Sequence, residues 1–116
     1  MADAVLPLSF AAGAVRFGDA SPGWALLERA PGNGERSYAG RVQFERAFQA
    51  PPVVQIGITG FDIDNGANAR LNVGIIVVDG EGFEVELRTW WNSRLWSVDL
   101  NSVSYTHLTL PTKRIV

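Results

Sequence analysis

Apolar and polar residues alternate with a period of two through the middle and end of this 116-residue chain. No stretch of a dozen residues carries a convincing 3.6-residue apolar period, so the pattern predicts an all-β fold. Val54, Ile56 and Ile58 fall on one phase, which then shifts across Thr59 and Gly60 to Phe61 and Ile63, as a bulge would cause. Val42 and Phe44 alternate toward another strand, and Trp96, Val98 and Leu100 are expected on one face of a last strand over 95–100. Between Ala20 and Arg41 the chain is rich in Gly, Pro, Asn and Ser, with Pro31-Gly32-Asn33-Gly34 a loop by composition. Residues 1–14 read as an N-terminal arm or first strand. Together these elements predict a six-stranded antiparallel β-sandwich with no internal repeat.

The clearest element is a hairpin. Leu71, Val73, Ile75 and Val77 alternate on one strand and Phe83, Val85 and Leu87 on the next, around the turn Asp79-Gly80-Glu81-Gly82. If both apolar sets face one core, only pairings with an even sum of residue numbers keep them together. Val77 is then expected opposite Phe83 or Val85, and at the far end Arg70 lies opposite Trp90 or Asn92, on the face away from the core.

Composition narrows the function. Hydrophobic residues make up 47% and charged residues 19% of the chain, which suits one globular core. A net charge of −2 with scattered basic residues gives no field for a polyphosphate, so no nucleic-acid partner is expected. No apolar run approaches the roughly 18 residues of a membrane helix, so no membrane insertion is expected. Asp3 stands where a secretory signal would carry positive charge, so the start is not read as one; a secreted or cell-surface role would come as part of a longer protein. With no cysteine, the domain cannot use a disulfide.

Catalytic chemistry finds little to work with. His107 is the single histidine, too few for an imidazole-rich metal site and placed near the chain end. Glu84 and Glu86 beside Arg88 read as a solvated strand surface rather than an acid/base pair. Asp62-Ile63-Asp64-Asn65-Gly66 lacks the spacing and closing glutamate of a calcium loop, and Gly13 and Gly18 lead into Asp19-Ala20 where a phosphate loop needs its lysine and hydroxyl. No catalytic residue, metal or cofactor is expected, and the protein is read as no enzyme.

Aromatic density stands out instead. Trp90, Trp91 and Trp96 are three of the four tryptophans and lie near Arg70, Asn68 and Asn92. Pattern alone puts Trp96 in the core with Val98 and Leu100. Trp90 and Trp91, adjacent on a strand, must point to opposite faces, and the hairpin phase puts Trp90 outward beside Arg70. An outward Trp beside an Arg marks a subunit interface or a ligand surface. A pyranose offers an apolar C–H face to an aromatic ring and a rim of hydroxyls to planar guanidinium donors and to amides or carboxylates. The same residues could stack on a base or grip a peptide.

The ordered set Pro51-Pro52-Val53-Val54, Ile58-Thr59-Gly60-Phe61-Asp62-Ile63, Asn68-Ala69-Arg70, Gly82-Phe83 and Thr89-Trp90-Trp91-Asn92-Ser93 resembles the H-type lectin domain, the module of snail agglutinin and of the C-terminal part of discoidins. Phe17-Gly18-Asp19 and Gly23-Trp24 resemble its opening segment, and the likeness supports a lectin-like sandwich over 15–101. The resemblance implies a homotrimer that binds galactose or N-acetylgalactosamine glycans at clefts near subunit boundaries. It implies that Arg70 contacts sugar hydroxyls, that Trp90 lines the site and that Trp96 takes the place of the family's aromatic on the last strand. Trp91 stands where snail agglutinin often has histidine, and Asn33 or Glu35 replaces the family's loop aspartate. Residues 102–116 do not resemble the family's final strand and read as a tail not native to the domain.

The expected function is therefore a carbohydrate-binding lectin domain. The rival is a non-catalytic structural or protein-binding sandwich of a larger multidomain or fibre protein, favoured by Trp91 and by the missing aspartate. An accessory carbohydrate-binding domain of an enzyme is a third reading.

Overall fold

The alternation folds as six strands in the computed structural model, which describes residues 9–28 and 34–106. They are β1 (Ser9–Gly18), β2 (Arg36–Gln43), β3 (Val53–Ile63), β4 (Asn72–Val78), β5 (Gly82–Thr89) and β6 (Leu95–Thr106). All pairings are antiparallel, one sheet ordered β1-β6-β3 and the other β2-β5-β4. The expected all-β, six-stranded sandwich is the fold observed. No helix among the described residues is long and apolar enough to cross a membrane.

The two central strands supply most of the core, because each is flanked on both edges and covered by the other sheet. Phe83, Val85, Leu87 and Thr89 of β5 and Leu95, Val98 and Leu100 of β6 are buried, with Phe17 of β1 between them. Trp24 and Leu26, from the β1–β2 connection, close one end of this cluster. Each large side chain so buried contributes about 1.5–3 kcal/mol.

The phase shift expected at Thr59 is present: Ile58 pairs with Leu100 and Gly60 with Asp99, so Thr59 is the extra residue of a bulge. The hairpin departs from expectation. Val73 opposes Leu87 and Ile75 opposes Val85 as the even-sum rule requires, but a second bulge then puts Val77 opposite Glu84 and Val78 opposite Phe83. Val77 is exposed, and Val78 takes its place against the core. Four consecutive apolar residues, Ile75 to Val78, let the strand change phase without exposing a polar residue to the core.

The last strand also differs. Leu95, not Trp96, shares the buried phase of Val98 and Leu100, because the register shifts where Ile63 pairs with Leu95 and Asp62 with Ser97. Trp96 falls in that irregularity and is 44% exposed. Beyond Leu100 the strand continues to Thr106, paired with β1 on one side and β3 on the other. Its inward positions there are Ser102 and Ser104 while Val103 is exposed, so the polarity runs opposite to a core pattern. His107 and the rest of 107–116 lie outside the described residues.

Topology makes the two ends of the sandwich unlike. Three sheet-to-sheet connections, 19–35, 64–71 and 90–94, gather at one end. The other end carries the crossover 44–52 and the tight β4–β5 turn, where Asp79 Oδ1 accepts from the amides of Glu81 (2.8 Å) and Gly82 (2.9 Å).

Candidate functional site

β5 ends at Thr89, so Trp90 and Trp91 are turn residues and escape the strict alternation expected of a strand. Both are exposed, Trp90 at 38% and Trp91 at 61%, which corrects the expectation that one faces the core. Trp91 has a φ of 62°, a left-handed conformation that costs a bulky residue about 1–3 kcal/mol. Something must hold it.

Arg36 does. Its side chain is buried, and among the described residues its hydrogen bonds go to backbone carbonyls: Nε donates to Gly34 (2.6 Å) and Nη2 to Trp91 (2.8 Å), while Nη1 meets Glu28 and, at 3.5 Å, Leu26. One guanidinium thus joins three chain segments. Burial pushes its pKa below the ordinary range, and the nearby positive charge of Arg94 adds to this. Gly34, at φ 72°, packs against the Trp91 backbone so closely that a Cβ there would collide with it. Glycine is the residue this contact admits. Arg94 adds a second clamp, with Nε donating to Leu27 O (2.7 Å) and Nη1 3.3 Å from Asp64 Oδ2. Trp24 Nε1 donates to Leu95 O (2.9 Å).

On this frame sits Arg70. Its Nη1 donates to Asn92 Oδ1 (3.0 Å) and Ser93 Oγ (3.1 Å), and its carbonyl accepts from Thr89 Oγ1 (2.5 Å). The fully buried Ser93 donates in turn to Asn68 O (2.5 Å), tying the 68–70 loop to the 90–93 turn. Nε and Nη2 of Arg70 have no hydrogen-bond partner among the described residues. The result is a half-exposed guanidinium fixed at one nitrogen and open at the other two, on the same end of β5 as the exposed Trp90. That arrangement can donate to hydroxyls beside an aromatic surface.

The structure brings Arg70, Trp90, Trp91, Asn68 and Asn92 to one end. Glu35 reaches this end through Arg88, whose Nη1 lies 3.0 Å from Glu35 Oε2. Trp96 lies on the other sheet, and among the described residues no hydrogen bond ties its side chain to the Arg70 cluster. Asn33 falls outside the described residues. Sequence reasoning missed Arg36 and Ser93. For Arg36 a signal existed, since Val42, Gly40, Tyr38 and Arg36 share one phase, which puts Arg36 on the inward face. No group of three or more metal-ligating side chains occurs among the described residues.

The model of the H-type lectin domain matches residues 40–104, more than half of the chain. Two structures of discoidin II from Dictyostelium discoideum resemble most of the chain. The recombinant form has TM-score 0.67 and 26% identity, covering 84% of this chain and 36% of that one; the wild-type form has TM-score 0.68 and 25% identity, covering 86% and 37%. A protein of Fuscovulum blasticum described as "ATP synthase subunits region ORF 7" is 33% identical over 64 residues, 55% of this chain. The chain spans 56% of the length of that relative and little more than a third of the discoidin chains. Sandwich and family match agree, and the chain belongs to the H-type lectin domain family.

Proposed function

We propose that this domain is a non-catalytic carbohydrate-binding module that recognises galactose or N-acetylgalactosamine glycans where the 68–70 loop meets the 90–93 turn. The observation that carries this reading is Arg70, fixed through Nη1 by Asn92 and Ser93 and left with two donor nitrogens at the same end of β5 as the exposed Trp90. A pyranose fits such a pair, with its C–H face on the indole and its hydroxyls on the guanidinium.

Homotrimeric assembly with sites near subunit boundaries is part of the proposal. The exposed apolar residues Ile58 and Phe61 of β3 and Ile76 and Val77 of β4, two of the four edge strands, support it, since exposed apolar patches mark interfaces. Several weak sites on one particle gain avidity without any new contact. The test is a glycan array probed with the purified domain and with Arg70→Ala. Galactose-type binding that disappears in the folded variant supports the proposal, and no glycan above background refutes it. Sedimentation across concentrations tests assembly, and a strict monomer contradicts sites between subunits.

A protein-binding module is the second reading, favoured by Trp91 at the family's histidine position and by the exposed Phe10, Val53 and Val103 far from the proposed site.

A further inference from the structure

We infer that the glycan surface extends past the Arg70 end onto the outer face of the β2-β5-β4 sheet, where Arg88, Glu35 and Glu86 form a second subsite for one more neutral sugar residue. This rests on the lectin reading above and names the class of ligand for it: an oligosaccharide of at least two units rather than a single sugar.

The register sets the geometry. Arg88 lies on the outward face of β5 and directly precedes Thr89, whose hydroxyl donates to the Arg70 carbonyl. It pairs with Ser37 of β2 on one side and Asn72 of β4 on the other. The next outward row is Ala39, Glu86 and Gly74. Two of those three side chains are minimal, and a Cβ on Gly74 would meet nothing within 4 Å, so the sheet surface around Glu86 is low. Toward β2 lies a groove of about 420 Å³, lined by Glu35, Arg36, Ser37, Glu86 and Arg88.

Its chemistry suits hydroxyls. Arg88 stands between two carboxylates, Nη1 3.0 Å from Glu35 and Nη2 3.8 Å from Glu86. Carboxylate oxygens accept from sugar hydroxyls and the guanidinium donates to them, and hydrogen bonds to charged groups are the stronger kind. Arg36 lines the groove, but its donors are spent on backbone carbonyls. Arg88 is already paired with carboxylates, so the groove suits uncharged hydroxyls better than an acidic sugar. The groups are exposed and paired to one another, so replacing Glu86 or Arg88 costs the fold little.

Titration calorimetry provides the test, comparing N-acetylgalactosamine with a panel of neutral disaccharides that carry it at the non-reducing end. The best disaccharide is expected to bind roughly tenfold tighter than the monosaccharide. Glu86→Ala should abolish most of that gain while leaving the monosaccharide Kd within about twofold. A disaccharide that binds no tighter than the monosaccharide overturns the subsite, as does a gain that survives this substitution. Failure of the lectin reading looks different, because the monosaccharide itself would then not bind.

Discussion

The two ends of the sandwich solve the same problem by different means. At the loop end, three sheet-to-sheet connections bring many backbone carbonyls together, and buried or half-buried polar side chains, Arg36, Arg94, Ser93 and Trp24, satisfy them. At the opposite end the inward side chains shrink to Ala11, Gly13, Ser102 and Ser104. There the large apolar groups Phe10, Val53 and Val103 lie outward and exposed. Irregular backbone needs partners wherever water is excluded. The clamped end can therefore hold a strained turn such as Trp91 in one place, a condition for presenting donors to a ligand. Among the described residues the opposite end holds no comparable frame.

Removing the central clamp should break this contrast most. Arg36→Met leaves the carbonyls of Gly34, Glu28 and Trp91 without their donor, and a loss of about 3 kcal/mol or more in denaturant unfolding is expected. A loss below about 0.5 kcal/mol would show that the loops hold themselves. Trp24→Phe deletes the bond to Leu95 O and trims a buried ring, so a loss of about 1–3 kcal/mol is expected from the same measurement.

The opposite end should respond with the other sign. Ser104 Oγ is the one buried side-chain polar atom without a partner among the described residues, so Ser104→Ala should be neutral or stabilising by up to about 1 kcal/mol. Clear destabilisation would reveal a bond that the hydroxyl makes. The smallest effect concerns acid. Arg16 draws the Asp99 carboxyl below its ordinary value of 3.8, and Arg41 with the Glu81 amide does the same for Asp79. The folded chain then holds these protons less tightly than the unfolded one. Their stabilisation is present above about pH 4 and is lost as pH falls through the lowered folded values. Asp79→Asn and Asp99→Asn should flatten the acid limb of a stability profile slightly, and an unchanged limb would contradict these pairings.

Much of this architecture was legible in the residues. The alternations of β3 and β5, the bulge at Thr59 and the Asp79 turn each follow from spacing and turn chemistry. What stayed hidden lies where two phases are both apolar. Ile75 to Val78 concealed a bulge, and Leu95-Trp96 offered two large residues for one core position. Residues 102–106 misled for the inverse reason, with small hydroxyls inward and larger side chains outward in a strand that pairs on both edges. At the site, the hairpin spacing alone brought Arg70 to the 90–93 turn, where it bonds Asn92 and Ser93. Arg36 could not be recognised as a clamp, because its partners are carbonyls of distant loops and carry no residue-type signal.

The most direct test of the account is an amide-resonance map of the protein titrated with N-acetylgalactosamine. Shifts concentrated at 68–70 and 89–93, with the Ser9–Gly13 and Ser102–Thr106 segments unmoved, are the predicted result. Shifts confined to those latter segments, or none at saturating sugar, would contradict it.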